Sequence, residues 1–120
     1  MAVIEFARNE LNIKKATSSE FGPSKASVVG LMSEWIKDGK KVRGTDKDLG
    51  GTMRLGSYEA RLKKGSLISS IYNSTKIDER HRHRYEVNIN FKDKFEKKGM
   101  IFSGLSPDLK LPEIIELKNH

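Results

Sequence analysis

Residues 79–88 of this 120-residue chain read ERHRHRYEVN, the most unusual stretch of the sequence. In an extended strand successive side chains point to opposite faces, so its arginines would share one face and its histidines the other. Neighbouring guanidinium groups repel unless an anion lies among them, and arginine can bind a carboxylate with two parallel hydrogen bonds. That carboxylate could belong to Glu79, to Glu86, to another domain or to a ligand; alternatively, the arginines pair with nearby acids and only hold a loop. The residues concerned are Arg80, Arg82 and Arg84, opposite His81, His83 and Tyr85.

The same stretch permits two further interpretations. His81 and His83 form a His-x-His pair, which can bind zinc from a strand, but no third ligand is evident, so no metal site is predicted. Clustered arginines can also bind the phosphates of nucleic acids. Because only 8% of the residues are aromatic and no nucleic-acid-binding signature occurs, we do not expect a nucleic-acid partner.

Composition limits the classes of function. The net charge of +7 favours an anionic partner, although much of the excess lies in dispersed lysine pairs such as Lys14–Lys15 and Lys63–Lys64, typical of solvated surface. The absence of cysteine excludes disulfides, thiolate zinc sites and a cysteine nucleophile from these residues. Met1–Arg8 lacks the pattern of a signal peptide, and no apolar run approaches the ~20 residues of a membrane span. We therefore expect a soluble, cytoplasmic protein without a membrane partner.

Hydrophobic periodicity predicts short helices mixed with short strands, which indicates an α/β or α+β fold. Ser66 is the expected N-cap of one helix and Gly99 the C-cap of another, and Ser106-Pro107-Asp108 marks the turn of a hairpin. The predicted helices are Ala2–Leu11, Leu67–Tyr72 and Phe91–Lys98, the strands Ala26–Met32, Thr52–Leu62, Met100–Ser103 and Pro112–Leu117, and the loops Asn12–Lys25 and Arg43–Gly51.

Two more stretches could carry chemistry. Residues 50–56, GGTMRLG, contain paired glycines that allow a sharp turn, but they lack the Gly-Lys-Ser/Thr ending of a phosphate-binding loop, so a turn entering a strand is favoured. Residues 18–21, SSEF, place an acid in a polar loop. No Gly-x-Ser-x-Gly motif occurs and no serine is tied to a histidine by spacing, so no catalytic triad is predicted within the chain.

Taken together, these stretches resemble signatures of the CTP synthases. Residues 79–88 are similar to the family sequence Glu-Arg-His-Arg-His-Arg-Tyr-Glu-Val/Phe-Asn, and residues 48–56, DLGGTMRLG, to a second family signature. Residues 18–21 resemble its Ser-Thr-Glu-Phe segment, with Ser19 in place of threonine. Ala2–Asn9 resembles the helix after the family's nucleophile, and Pro112–His120 the strand leading to its catalytic histidine. The order and spacing agree along essentially the whole chain.

The resemblance implies an α/β fold, part of a three-layer, flavodoxin-like class I glutamine amidotransferase domain. CTP synthases make CTP from UTP, ATP and ammonia with Mg2+, and are homotetramers. A synthetase domain aminates phosphorylated UTP, and the amidotransferase domain releases ammonia from L-glutamine through a Cys-His-Glu triad and a glutamyl thioester. Residues 1–120 would be the central part of that second domain, truncated at both ends, with no cofactor of their own.

Two residues carry over to glutamine binding by resemblance. Glu20 matches the family's substrate-contacting glutamate, and Arg84 matches the arginine at the substrate site, although its contact could come from the main chain or the guanidinium. The cysteine, histidine and glutamate of the triad fall outside the chain, and His81, His83 and His120 match none of them. Arg80 and Arg82 are expected to form structural or inter-domain pairs. We therefore expect the isolated chain to be inactive; the alternatives are a degenerate remnant or a basic polyanion-binding module.

Overall fold

The computed structural model describes residues 1–31 and 54–117, which belong to two compact units. The first unit comprises Met1–Leu55 and Arg82–Asn88, and the second comprises Gly56–His81 and Ile89–His120. The predicted loop at Arg43–Gly51 lies outside the described residues. The α/β class is confirmed. The helices are α1 (Ala2–Asn9), α2 (Leu67–Ile71) and α3 (Lys92–Lys97), the strands β1 (Thr17–Ser18), β2 (Ser27–Leu31), β3 (Arg54–Leu62), β4 (Lys76–His83), β5 (Tyr85–Val87), β6 (Met100–Leu105) and β7 (Pro112–Leu117), and 3-10 turns lie at Ser19–Phe21 and Ile89–Phe91.

The first unit is a small sheet with the order β1-β2-β5, against which α1 packs. β1 and β2 are parallel, and β5 runs antiparallel to β2. Helix α1 buries Val3, Ile4 and Ala7, as its apolar spacing predicts. The loop predicted at Asn12–Lys25 is only partly correct, because it contains β1 and a 3-10 turn. A two-residue strand has no periodicity of its own; β1 exists because its backbone pairs with β2.

The second unit is a four-stranded sheet with the order β4-β3-β6-β7. β6 is antiparallel to both β3 and β7, so the predicted C-terminal hairpin is confirmed. Its core contains Ala60, Leu62 and Ile77, with Ile68 of α2 packed against them. None of the helices in the two described ranges is long and apolar enough to cross a membrane.

The predicted N-cap of α2 is confirmed. Ser66 accepts a hydrogen bond at its Oγ from the Ser69 backbone N–H at 3.2 Å. The Glu116 carboxylate of β7 accepts from the next free donors, the N–H groups of Leu67 and Ile68, at 3.3 and 3.2 Å. These bonds satisfy donors that have no partner within a helix, and the carboxylate interacts favourably with the positive helix N-terminus.

The turn predicted between β6 and β7 is closed by side chains. The Ser106 hydroxyl donates to Asp108 Oδ1 at 2.5 Å and accepts from the Leu111 N–H at 3.0 Å. The hydrogen bond from Ser106 is the main reason why the pKa of Asp108 lies below its ordinary value. Ser and Asp thus stabilise the turn by hydrogen bonds to one another and to the backbone, which is why they favour such positions.

Gly104 in β6 lies too close to β7 to accept a side chain. A Cβ at this position would lie 2.9 Å from Ile114 Cβ, in the branched part of that side chain. We expect Gly104→Ala to destabilise the chain by about 1–3 kcal/mol, the usual cost of overpacking, measured by urea unfolding. The neighbouring Ser103→Ala is the matched control. Its buried hydroxyl has no hydrogen-bond partner in the described part of the chain, so its removal should be neutral or stabilising. Equal losses for the two variants would contradict the steric explanation.

Candidate functional site

The arginine- and histidine-rich stretch is extended, but it is not one continuous strand. β4 ends at His83 and β5 begins at Tyr85, with the half-buried Arg84 between them. β4 belongs to the four-stranded sheet and β5 to the three-stranded sheet. The expectation that Arg84 shares one strand face with Arg80 and Arg82 is therefore wrong, because the backbone changes sheets at this residue.

The residues on either side of Arg84 are joined by the His83 side chain. Its Nδ1 lies 3.2 Å from the carbonyl oxygen of Tyr85 and 3.4 Å from Glu86 Oε1. Tyr85 and Glu86 are themselves held in the sheet, where they pair with Leu31 and Gly30 of β2. The backbone on both sides of Arg84 is thus fixed, by the sheet after it and by the imidazole that spans it.

Glu86 is the buried acid of this region. Its side chain is 4% exposed and accepts a hydrogen bond from Arg54 Nη1 at 3.4 Å, and the Arg54 side chain is only 6% exposed. The pair joins the glycine-containing stretch to the arginine-rich stretch, which are 32 residues apart at this contact. Because a buried charge is costly unless it is paired, this contact constrains both segments strongly.

Sequence reasoning did not assign the Arg54–Glu86 pair. Glu79 and Glu86 are the acids that residues 79–88 offer to their own arginines, but Glu79 accepts a hydrogen bond from the Tyr72 hydroxyl and Glu86 accepts one from Arg54. Alternation along β3 gives no signal for the burial of Arg54, because Gly56 and Tyr58, at the alternate positions that follow it, are both exposed. None of Arg80, Arg82 and Arg84 lies within ion-pair distance of a carboxylate in residues 1–31 and 54–117.

Glu20 lies in the 3-10 turn that follows β1. Ser18 caps this turn by accepting a hydrogen bond from the Glu20 N–H at 3.3 Å, and the Glu20 side chain is exposed. Short polar residues favour such caps because their side chains can satisfy a backbone donor that the turn leaves free. Glu20 therefore lies just after the end of β1, in a turn whose backbone conformation is stabilised by the Ser18 cap.

The pairing register places Glu20 and Arg84 at the same edge of the three-stranded sheet. Parallel strands β1 and β2 end at the same edge, where Ser18 is level with Val29. Arg84 immediately precedes Tyr85, which pairs with Leu31 at the end of β2. β1 and β5 flank β2 on opposite sides, so their backbones lie about 10 Å apart, two strand spacings. Ligands of open α/β sheets commonly bind outside the carboxyl ends of the strands, which is this edge.

The other histidine of the stretch has a separate set of contacts. His81 is buried, with Nε2 3.5 Å from Glu113 Oε2, and its ring lies edge-on to Tyr58 with the centroids 5.5 Å apart. The described ranges contain no group of three or more histidine, cysteine, aspartate and glutamate side chains that could hold a metal ion.

Comparisons with known proteins by sequence and by structure both find CTP synthases. The chain is 76% identical over 120 residues to the CTP synthase of Pelagibacter ubique and 60% identical over 121 residues to that of Hyphomonas neptunium. Each match covers the whole chain but only 22% of the relative, so the chain spans about a fifth of the relatives' length. No family model matches the chain.

A solved structure shows the same fold. The glutaminase domain of Trypanosoma brucei CTPS, solved with bound acivicin, matches 98% of this chain and 41% of its own, with a TM-score of 0.70 and 30% sequence identity. Sequence identity along the full chain and the similarity of fold lead to the same family. Over its whole length the chain is similar to CTP synthases, and its fold is similar to that of a CTP synthase glutaminase domain.

Proposed function

We propose that this chain provides the glutamine-binding contacts of a CTP synthase, with Glu20 and the Arg84 guanidinium binding the substrate. L-glutamine carries an α-ammonium and an α-carboxylate, so an acid and an arginine that converge on it are complementary in charge. The observation that carries the proposal is that both residues lie at the carboxyl edge of one small sheet. Because β2 lies between β1 and β5, a substrate bound by both residues would lie beyond the carboxyl end of β2, where open α/β sheets commonly bind ligands.

The activity of the whole enzyme is also part of the proposal. It would make CTP from UTP, ATP and glutamine-derived ammonia with Mg2+, as a homotetramer in the cytoplasm, with a synthetase domain supplied by the remainder of the parent chain. The names of the relatives support this activity. Residues 1–120 would be the central part of the amidotransferase domain and would bind neither ATP, UTP nor Mg2+ themselves.

Glutamine hydrolysis would use a cysteine that these residues do not contain, since the sequence has none. Attack on the side-chain amide, formation of a glutamyl thioester and its hydrolysis would therefore depend on a Cys-His-Glu triad from the rest of the parent chain. The role of this chain would be to hold the substrate at a fixed distance from that thiol. Correct placement of this kind accounts for a large part of many enzymatic rate enhancements.

A chimaeric enzyme provides the test. Residues 1–120 would replace the matching segment of the Pelagibacter ubique CTP synthase. In that background we expect Glu20→Gln and Arg84→Gln each to raise the KM for glutamine at least about tenfold, because each removes a charged contact to the substrate. The measurement is glutamine-dependent CTP formation, normalised to ammonia-dependent CTP formation in the same preparation.

Matched controls separate substrate contacts from general charge effects. Glu10→Gln and Arg82→Gln remove an exposed acid and an exposed arginine from the same unit, and both should leave the KM for glutamine within about twofold of the unmodified chimaera. The isolated chain should show only background glutaminase activity. A normal KM in both test variants would disprove the proposed contacts.

A polyanion-binding module is the second candidate, favoured by the exposed side chains of Arg80 and Arg82 in a chain of net charge +7. Such a module would bind RNA through phosphate contacts, and its affinity would fall steeply as salt rises. Filter binding of RNA to the chain at low and high salt tests whether it is a polyanion-binding module. No binding at low salt would eliminate this candidate.

A further inference from the structure

The His83 imidazole spans Arg84. It leaves the end of β4, and its Nδ1 reaches the Tyr85 carbonyl at 3.2 Å and Glu86 Oε1 at 3.4 Å. A carbonyl oxygen accepts hydrogen bonds, so in the bond to Tyr85 it is Nδ1 that carries the proton and donates, while Glu86 Oε1 lies within ion-pair distance of the same nitrogen. The contact is thus directional and depends on a donor at one specific ring position.

The acceptors of His83 are rigid. Glu86 is buried and bonded to Arg54 at 3.4 Å, and the residues after Arg84 pair with β2. The imidazole therefore connects the last residue of β4 to a fixed strand and limits the backbone angles that are available to Arg84. Arg84 itself belongs to neither strand: β4 ends one residue before it and β5 begins one residue after it.

We infer that His83 is a positioning residue of the glutamine site, acting through Arg84 rather than on the substrate. The inference rests on the proposed function, because it assumes that Arg84 binds glutamine. Loss of the Nδ1 donor frees the backbone at Arg84, so the arginine occupies its binding position for a smaller fraction of the time. The apparent affinity for glutamine falls by that same fraction.

Two amide variants distinguish positioning from simple space filling. In His83→Asn the side-chain amide nitrogen can occupy the place of Nδ1, whereas the longer side chain of His83→Gln places its amide near Nε2. Both variants are made in the Pelagibacter ubique chimaera. We expect His83→Gln to raise the KM for glutamine about tenfold with kcat changed less than about threefold, and His83→Asn to remain within about threefold for both.

Each outcome of this experiment has a defined meaning. Equal KM values for the asparagine and glutamine variants would overturn the inference, because it assigns the effect to the donor at Nδ1. A parallel loss of ammonia-dependent CTP formation in His83→Gln would also overturn it, since that loss reports a general structural defect. Failure of the proposed function is distinguishable: there, Glu20→Gln and Arg84→Gln would both show a normal KM, whatever the His83 variants do.

Discussion

Replacing Arg54 with alanine is expected to destabilise the chain by about 3–5 kcal/mol, because it leaves the Glu86 carboxylate buried without its cationic partner. The two side chains are 6% and 4% exposed, so water cannot readily replace the lost contact. Small domains are stable by only about 5–15 kcal/mol, so the variant should lose most of its cooperative unfolding. Urea unfolding followed by far-UV circular dichroism measures the change.

Arg61→Ala is the control for Arg54→Ala. Both arginines lie on β3, but Arg61 is 60% exposed and its ion pair with Glu59 is 3.7 Å long. Exposed pairs of this kind contribute about 0–1 kcal/mol, so the control should be nearly as stable as the unmodified chain. If the two variants lose the same stability, burial of the Arg54 pair is not what stabilises this region.

The double variant Arg54→Met with Glu86→Leu tests by another route whether the unpaired buried carboxylate is what destabilises Arg54→Ala. Replacing a whole buried ion pair by apolar side chains is often neutral or stabilising, because no unpaired charge remains. We expect stability close to that of the unmodified chain, together with impaired use of glutamine in the chimaera. The second effect follows because His83 would lose its contact with the buried Glu86 carboxylate and keep only the Tyr85 carbonyl.

Much of the fold is predictable from local sequence. Helix α1 follows from apolar spacing, the N-cap at Ser66 from a short polar residue before an apolar run, and the β6–β7 hairpin from its turn chemistry. These features depend on contacts between residues close in the chain, so the sequence pattern contains the needed information.

Other features depend on distant contacts and were not predictable. β1 forms only because β2 lies beside it, and the strand break at Arg84 depends on which sheet each half joins. The Arg54–Glu86 pair spans 32 residues, and several acids were equally plausible partners from sequence alone. In each case tertiary pairing, rather than local preference, selects among conformations or partners that the sequence permits.

The candidate site also combines features that the sequence predicts with features that only the fold reveals. Its chemistry, an acid and an arginine suited to an amino acid, came from a family resemblance rather than from periodicity. Charged residues in polar loops give no pattern that distinguishes a ligand contact from a solvated surface. The strand register then adds that Glu20 and Arg84 share one sheet edge. Their role in glutamine binding stays a prediction that the chimaeric enzyme can test.

Replacing Phe95 with alanine is the other change expected to have a large effect, at about 3–5 kcal/mol. The Phe95 side chain is fully buried on α3, and its ring contacts Phe102 of β6 edge-on, with centroids 5.8 Å apart and planes at 88°. The variant would lose apolar burial and this aromatic contact and would leave a cavity between helix and sheet.

Phe21→Ala is the control, because this phenylalanine is 75% exposed and its truncation should change stability by less than about 0.5 kcal/mol. Phe95→Leu should fall between the two, since leucine restores part of the buried volume but not the ring contact. Urea unfolding of all three variants gives the order. If Phe95→Ala were no more damaging than Phe21→Ala, α3 could not be packed on β6 through this ring, and the second unit would need a different core.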